Sequence, residues 1–169
     1  AMLQLQAQPE NLVRNGDFEE YFHMPRSAAE VDKLKEWCNP SGIHAESPDH
    51  GTPDYLHMQG TGDAKLPNSL KGKVYPNSVH GIAGLVLYSN DDPERPNFRE
   101  YLAIKLNEPL IPGRKYKFEV YVTHGLSDYI GQYNCHALSL GLTTSKPVQR
   151  GNDIYRPNKS FILPFVPVI

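Results

Sequence analysis

Three carboxylates lie close together near the start of the chain, beside a sequence that favours a turn. Asp17, Glu19 and Glu20 belong to the segment NLVRNGDFEE (11–20), in which Asn-Gly-Asp is typical of a turn. Hard cations such as calcium bind several carboxylate and carbonyl oxygens gathered from one loop. The segment therefore predicts either a calcium site or three solvated carboxylates.

Three histidines in the segment 39–78 are further candidate metal ligands. His44, His50 and His57 are separated by six and seven positions, which fits no common metal-binding motif. We interpret them as loop histidines and keep His57 as a candidate ligand-contacting residue.

The two cysteines, Cys38 and Cys135, lie far apart in the chain, and neither belongs to a zinc-type motif. In an exported protein they could form a disulfide bond, and they could equally be two separate buried thiols. The sequence leaves both alternatives open.

Aromatic residues in loops or at strand ends are candidates for binding a sugar, because aromatic rings stack on the apolar faces of sugar rings. The only tryptophan, Trp37, has two interpretations, a core side chain or a stacking platform. The candidate ligand-contacting residues are Trp37, Tyr55, His57, Tyr88, Tyr129 and Tyr133.

The sequence contains no arrangement typical of catalysis. The segment GLSDY (125–129) lacks the second glycine of a nucleophile elbow. Neighbouring carboxylates such as Asp91 and Asp92 would point to opposite faces of a strand, so they could not act as general acid and general base on the same bond. We therefore expect a protein that is not an enzyme.

Composition and net charge limit which fold class and which partners are expected. The chain has 169 residues, with 13 glycines and 15 prolines between short apolar runs, which favours one all-β sandwich domain over residues 11–169. The net charge is −2 and lysine and arginine form no run, so nucleic acid is not an expected partner.

The termini and the apolar runs bear on localisation. No apolar run is long enough to cross a bilayer, so no transmembrane segment is expected. We interpret residues 1–10 as a cloning remnant or the tail of a secretory signal. The apolar ending SFILPFVPVI (160–169) predicts either a buried strand or a sandwich whose final strands follow this sequence.

The elements that must position these side chains are organised around the segment 98–123. Apolar residues alternate with polar ones on both sides of Pro112-Gly113, from Leu102 to Leu106 and from Tyr116 to Val122. A period of two is typical of a strand, and Pro-Gly is typical of a turn. The segment predicts two paired antiparallel strands with one buried face.

Weaker patterns predict the other elements. The segment 27–36 carries a capping-box pattern and predicts a short helix, whereas 39–78 is rich in proline, glycine and polar residues and predicts a long loop with an ordered turn at GTPDYLH (51–57). The segments 11–20, 81–88 and 136–143 predict strands, and 144–159 predicts a polar loop.

Several of these segments occur in an order that resembles a known domain. They are NLVRNGDFEEY (11–21), Trp37, GTPDYLH (51–57), GIAGLVLY (81–88) and FREYLAIKLNEPLIPGRKYKFEVYV (98–122). Together they resemble the N-terminal β-sandwich domain of OmpA-type cell-envelope proteins of Gram-negative bacteria, which is similar to the galactose-binding-like jelly rolls of carbohydrate-binding modules. The resemblance implies a jelly-roll fold, and it implies a structural calcium ion held in part by Glu19.

The resemblance also implies a location and a task. It implies export to the periplasm, the outer membrane or the cell surface of a Gram-negative bacterium, and a binding module that contacts a glycan or a cell-surface protein. The alternative is a structural or assembly spacer domain of an outer-membrane-associated protein, without a small ligand.

Overall fold

The computed structural model describes residues 10–42, 51–70, 72–89, 93, 96–123, 138–150 and 154–163. These residues form short β-strands and two 3-10 helices, Val31–Lys33 and Gly62–Ala64. The strands are β1 (Trp37–Cys38), β2 (Asp54–His57), β3 (Asn68–Ser69), β4 (Gly72–Lys73), β5 (Gly81–Gly84), β6 (Ala103–Ile104), β7 (Leu138–Leu142) and β8 (Lys159–Leu163). The predicted all-β class is therefore confirmed for the described part of the chain.

The strands pair into small antiparallel sheets of two strands each: β1 with β6, β2 with β5, β3 with β4, and β7 with β8. In the β2–β5 sheet, Asp54 lies opposite Gly84 and His57 lies opposite Gly81. This register brings the carboxyl end of β2 next to the residue that precedes β5.

The best-packed region surrounds β2, whose four residues are all buried. Leu56 packs against Ala64, Leu66 and Val74 to form a hydrophobic cluster. The prediction of a long loop over 39–78 is therefore wrong for this region. Its apolar residues are few and separated by proline and glycine, so they give no periodic signal although tertiary contacts bury them.

A helix lies within 27–36, as predicted, but it is only a single 3-10 turn, Val31–Lys33. Glu30 Oε2 accepts hydrogen bonds from the backbone N–H groups of Arg26 (2.6 Å) and Ser27 (3.0 Å), as in one half of a capping box. Glu30 also forms an ion pair with Lys33.

The hairpin predicted over 98–123 is only partly correct. Its turn is confirmed, since Arg114 N–H donates to Ile111 O (3.1 Å) and Gly113 has φ +81°. The predicted pairing is wrong, because β6 pairs with β1 and residues 105–123 contain no strand. Alternation shows that a segment can bury one face, but it does not determine which segment pairs with it.

The other predicted strands have mixed outcomes. The strand over 81–88 is confirmed for Gly81–Gly84, and the strand over 136–143 is confirmed for Leu138–Leu142. Residues 11–20 form turns and bends, so the opening strand is wrong. The start of the apolar ending forms β8, which is largely exposed.

Glu100 is a buried residue that joins two segments. Its Oε1 accepts a hydrogen bond from Thr52 N–H (2.8 Å) and its Oε2 accepts one from Val86 N–H (2.6 Å). Hydrogen bonds from backbone N–H groups satisfy a buried carboxylate where water cannot reach it. Glu100 therefore fastens the segment before β2 to the segment after β5.

The part of the chain that the structure describes contains no helix with the length and apolar character needed to cross a membrane.

Candidate functional site

Three chain segments meet at the carboxyl end of β2 and bring together one carboxylate and two imidazoles. His57 ends β2, His80 immediately precedes β5, and Glu19 follows the N-terminal turn. One ligand atom from each of these residues lies within 4.8 Å of the other two. We refer to Glu19, His57 and His80 as the Glu19–His57–His80 cluster.

Asn15 positions the N-terminal turn that carries Glu19. Its side-chain Nδ2 donates to the carbonyl oxygens of Glu20 (2.7 Å) and Lys35 (2.9 Å), and its Oδ1 accepts from Glu20 N–H (2.8 Å). Asn15 has φ +46° and Phe18 has φ +61°, in the left-handed region that asparagine tolerates better than most residues. The predicted turn is confirmed, and the Asn15 side chain links it to Glu20 and Lys35.

The Glu19 carboxylate is bound on one side by backbone groups and faces imidazoles on the other. Oε1 accepts hydrogen bonds from the N–H groups of His80 (2.6 Å) and Gly81 (2.9 Å). Oε2 lies 3.2 Å from His80 Nδ1 and 3.9 Å from His57 Nε2. Burial by itself would raise the pKa of Glu19, but these hydrogen bonds outweigh it, so the pKa lies below its ordinary value.

His57 is buried and its tautomer is set by a neighbouring backbone group. Gln59 N–H donates to His57 Nδ1 (3.1 Å), so the neutral ring carries its proton on Nε2, the atom that faces Glu19. Burial lowers the pKa of His57; the nearby Glu19 opposes this effect, and His80 adds to it. His57 is therefore held as a neutral imidazole.

The cluster depends on a close approach between the N-terminal turn and β5. A Cβ atom on Gly81 would lie far inside van der Waals contact with Phe18 O. Only glycine leaves room for that carbonyl group beside the strand. The first residue of β5 is thus what lets Glu19 reach the two histidines.

The donor set determines what the cluster can hold. Two imidazoles and one carboxylate are typical ligands of zinc and other first-row transition metals. Calcium prefers six to eight oxygen ligands, and here Glu19 is accompanied by nitrogen ligands.

Sequence reasoning missed His80, because a lone histidine before a strand has no motif around it. The signal that could have found it was the pairing of GTPDYLH (51–57) with GIAGLVLY (81–88), which puts His57 opposite Gly81 and next to His80. His44 and His50 lie outside the described residues.

The predicted ligand-contacting residues that the structure describes do not form one surface. Tyr55 is fully buried and its OH donates to Phe18 O (3.1 Å), so its ring is not available for stacking on a ligand. Trp37 is half-buried: its Nε1–H donates to Asn15 O (2.8 Å) and its ring packs 5.2 Å from that of Phe18. His57 belongs to the Glu19–His57–His80 cluster.

Tyr88 differs from these residues because it is 54% exposed. The Arg99 guanidinium lies over its ring, 4.9 Å from the centroid. Tyr129 and Tyr133 lie outside the described residues, as does Cys135, the candidate partner of the half-buried Cys38.

In comparisons with protein-family models, with curated proteins and with solved structures, the chain matched none.

Proposed function

We propose that this chain is a non-enzymatic binding module of an exported Gram-negative cell-envelope protein, and that it contacts a glycan or a surface partner. The all-β architecture supports this proposal, as does the resemblance of segments 11–21, 51–57, 81–88 and 98–122 to a jelly-roll domain of such proteins. In this proposal the small sheets belong to one galactose-binding-like sandwich.

The observation that carries the proposal is the exposed Tyr88 ring with the half-buried Arg99 beside it, here called the Tyr88–Arg99 platform. Ser89 and Phe98 form a β-bridge, with Ser89 N–H donating to Phe98 O (2.9 Å), so the two platform residues lie on neighbouring paired backbones. Arg99 Nη1 also donates to Asn97 O (3.2 Å). The backbone pairing fixes the two residues side by side, and the Asn97 hydrogen bond restrains the Arg99 side chain before a ligand arrives, which lowers the entropy lost on binding.

The chemistry of this platform suits a sugar. The tyrosine ring offers an apolar face for the C–H groups of a pyranose, and the guanidinium offers several N–H donors for hydroxyl oxygens. A ring that also packs against a cation keeps a fixed orientation.

The test uses Tyr88→Ala against a matched control. Tyr75 is also exposed and also lies beside a cation, Lys73, 5.7 Å from its ring centroid, so Tyr75→Ala removes a similar pair elsewhere. We expect a glycan array that includes peptidoglycan fragments to give a ligand, and calorimetry to show about tenfold weaker binding for Tyr88→Ala but not for Tyr75→Ala. Absence of binding to every glycan would overturn the glycan version of the proposal.

A second candidate function, an assembly or spacer domain, is favoured by a different surface. Tyr116, Phe118, Val120 and Val122 alternate along the chain and are all exposed, and we call them the 116–122 row. An exposed apolar row is typical of a surface that contacts another protein.

This candidate is tested by the state of association. Phe118→Ser should abolish a concentration-dependent increase in mass measured by light scattering, whereas Val79→Ser, at an exposed valine outside the 116–122 row, should not. A wild-type chain that stays monomeric at all concentrations, and that gains no stability in a longer version of the protein, would rule out this alternative.

A further inference from the structure

We propose that the Glu19–His57–His80 cluster binds a divalent transition metal ion of the zinc class, with Glu19 Oε2, His57 Nε2 and His80 Nδ1 as its ligands. This inference does not depend on glycan binding and concerns a different part of the molecule from the Tyr88–Arg99 platform.

The spacing of the ligand atoms fits such an ion. Zinc bonds of about 2.0–2.1 Å in tetrahedral geometry put neighbouring ligand atoms about 3.3 Å apart. Glu19 Oε2 lies 3.2 Å from His80 Nδ1 and 3.9 Å from His57 Nε2, and one ligand atom from each of the three residues lies within 4.8 Å of the other two. Small side-chain rotations on a fixed backbone would complete the coordination.

The backbone that carries the ligands is held in place by its own hydrogen bonds. Antiparallel pairing sets His57 opposite Gly81, and Met58 N–H donates to His80 O (3.0 Å). A preorganised set of ligands loses less entropy when it binds an ion.

The surroundings of Glu19 resemble those of a ligating carboxylate. Carboxylates that bind metals are themselves usually hydrogen-bonded through surrounding groups. Glu19 Oε1 accepts from His80 N–H (2.6 Å) and Gly81 N–H (2.9 Å), which leaves Oε2 to face the imidazoles. A monodentate carboxylate of this kind suits zinc.

One contact opposes binding and limits the affinity. Gln59 N–H donates to His57 Nδ1 (3.1 Å), whereas a neutral histidine that ligates through Nε2 carries its proton on Nδ1. Metal binding must therefore displace the Gln59 hydrogen bond, which should weaken the affinity by up to about tenfold compared with a site that is free of it.

The bound ion would fasten the N-terminal turn to the β2–β5 sheet. The side chain of His80 is 41% exposed, so the cluster can be reached from solvent on that side. These residues supply three ligands, and the fourth position of a tetrahedral ion remains for water or for a group of a partner.

The experiment is calorimetric titration of the metal-stripped chain with Zn²⁺ alone, and with Ca²⁺ alone as the comparison ion. Absorption of the Co²⁺ form reports ligand number and geometry. The variants are His80→Ala, which removes a partly exposed side chain, and Glu19→Gln, which keeps a side-chain acceptor for the two backbone donors. His23→Ala, at an exposed histidine outside the cluster, is the matched control.

We expect saturable Zn²⁺ binding, a tetrahedral Co²⁺ spectrum, and at least about tenfold weaker binding in both cluster variants but not in His23→Ala. The proposal is overturned if the wild-type chain binds no Zn²⁺, if Ca²⁺ binds more tightly than Zn²⁺, or if Zn²⁺ binding is unchanged in both cluster variants. Far-UV circular dichroism of each variant shows that a lost signal is not unfolding.

Discussion

At the scale of single residues, several carboxylates have structural roles as acceptors of backbone hydrogen bonds. Glu19, Glu30 and Glu100 each accept hydrogen bonds from at least two backbone N–H groups, which are distant in the chain for Glu19 and Glu100 and local for Glu30. Such bonds to a charged acceptor contribute more than neutral ones, about 1.5–3 kcal/mol each. In a sequence these residues look like ordinary solvated acids.

Glu30 leads to a prediction about pH. Burial would raise its pKa, but the backbone N–H groups of Arg26 and Ser27 and the ion pair with Lys33 hold it below the ordinary value of 4.5. A lowered pKa means that the carboxylate stabilises the fold above about pH 4.5 and that this contribution is lost as the pH falls through the folded-state pKa. Glu30→Gln should therefore cost about 1 kcal/mol of unfolding free energy at pH 7 and progressively less below pH 4.5.

Urea unfolding of the wild type and of Glu30→Gln between pH 7 and pH 3 measures this difference. Asp32→Asn, at an exposed acid in the same 3-10 turn, is the control and should change stability little at any pH. A difference between wild type and Glu30→Gln that stays constant over the whole range would contradict the prediction.

At the scale of elements, close approaches between segments decide where the short strands pair. β5 begins at Gly81 because Phe18 O occupies the space of a side chain there, and β2 pairs with β5 beside that contact. The N-terminal turn that makes this contact contains two residues in the left-handed region, Asn15 and Phe18. The sheet and the N-terminal turn therefore form one structural unit.

Gly81→Ala should destabilise the fold by about 1–3 kcal/mol, because the added methyl group forces Phe18 O away from β5. Gly16→Ala is a suitable control, since its nearest neighbour, Val13, would lie at an ordinary distance of 3.6 Å. Thermal or chemical unfolding of both variants makes the comparison. Equal stabilities would show that the close approach does not constrain β5.

At the scale of the whole molecule, the core of the described part is centred on β2. Leu56, Leu66, Ala64 and Val74 pack together there, whereas the apolar side chains of the 116–122 row are exposed. The described part of the molecule thus separates a packed region, which supports the Glu19–His57–His80 cluster, from exposed apolar surface.

Leu56→Ala should cost about 2–5 kcal/mol of unfolding free energy, because it removes a fully buried side chain and leaves a cavity. Leu70→Ala, at a leucine that is 54% exposed, should change stability by less than about 0.5 kcal/mol. Chemical denaturation with one probe of secondary structure and one of tertiary structure compares them. Similar effects of the two substitutions would show that the core lies elsewhere.

Features that depend on a few neighbouring residues were predictable from the sequence. Asn-Gly-Asp and Pro-Gly predicted the turns at 15–17 and 112–113, composition predicted an all-β chain with little helix, and alternating residues predicted the strand at 138–142. The reason is local, because turn residues and strand periodicity restrict the backbone whatever surrounds them.

Tertiary structure alone decided how these pieces pair and which side chains they bury. It paired β6 with β1 instead of with residues 115–122, buried Tyr55 while leaving Tyr88 exposed, and placed His80 beside Glu19 and His57. Burial and pairing depend on contacts between residues far apart in the chain. A single sequence carries no local signal of those contacts. For this reason the Glu19–His57–His80 cluster is visible only in the folded protein.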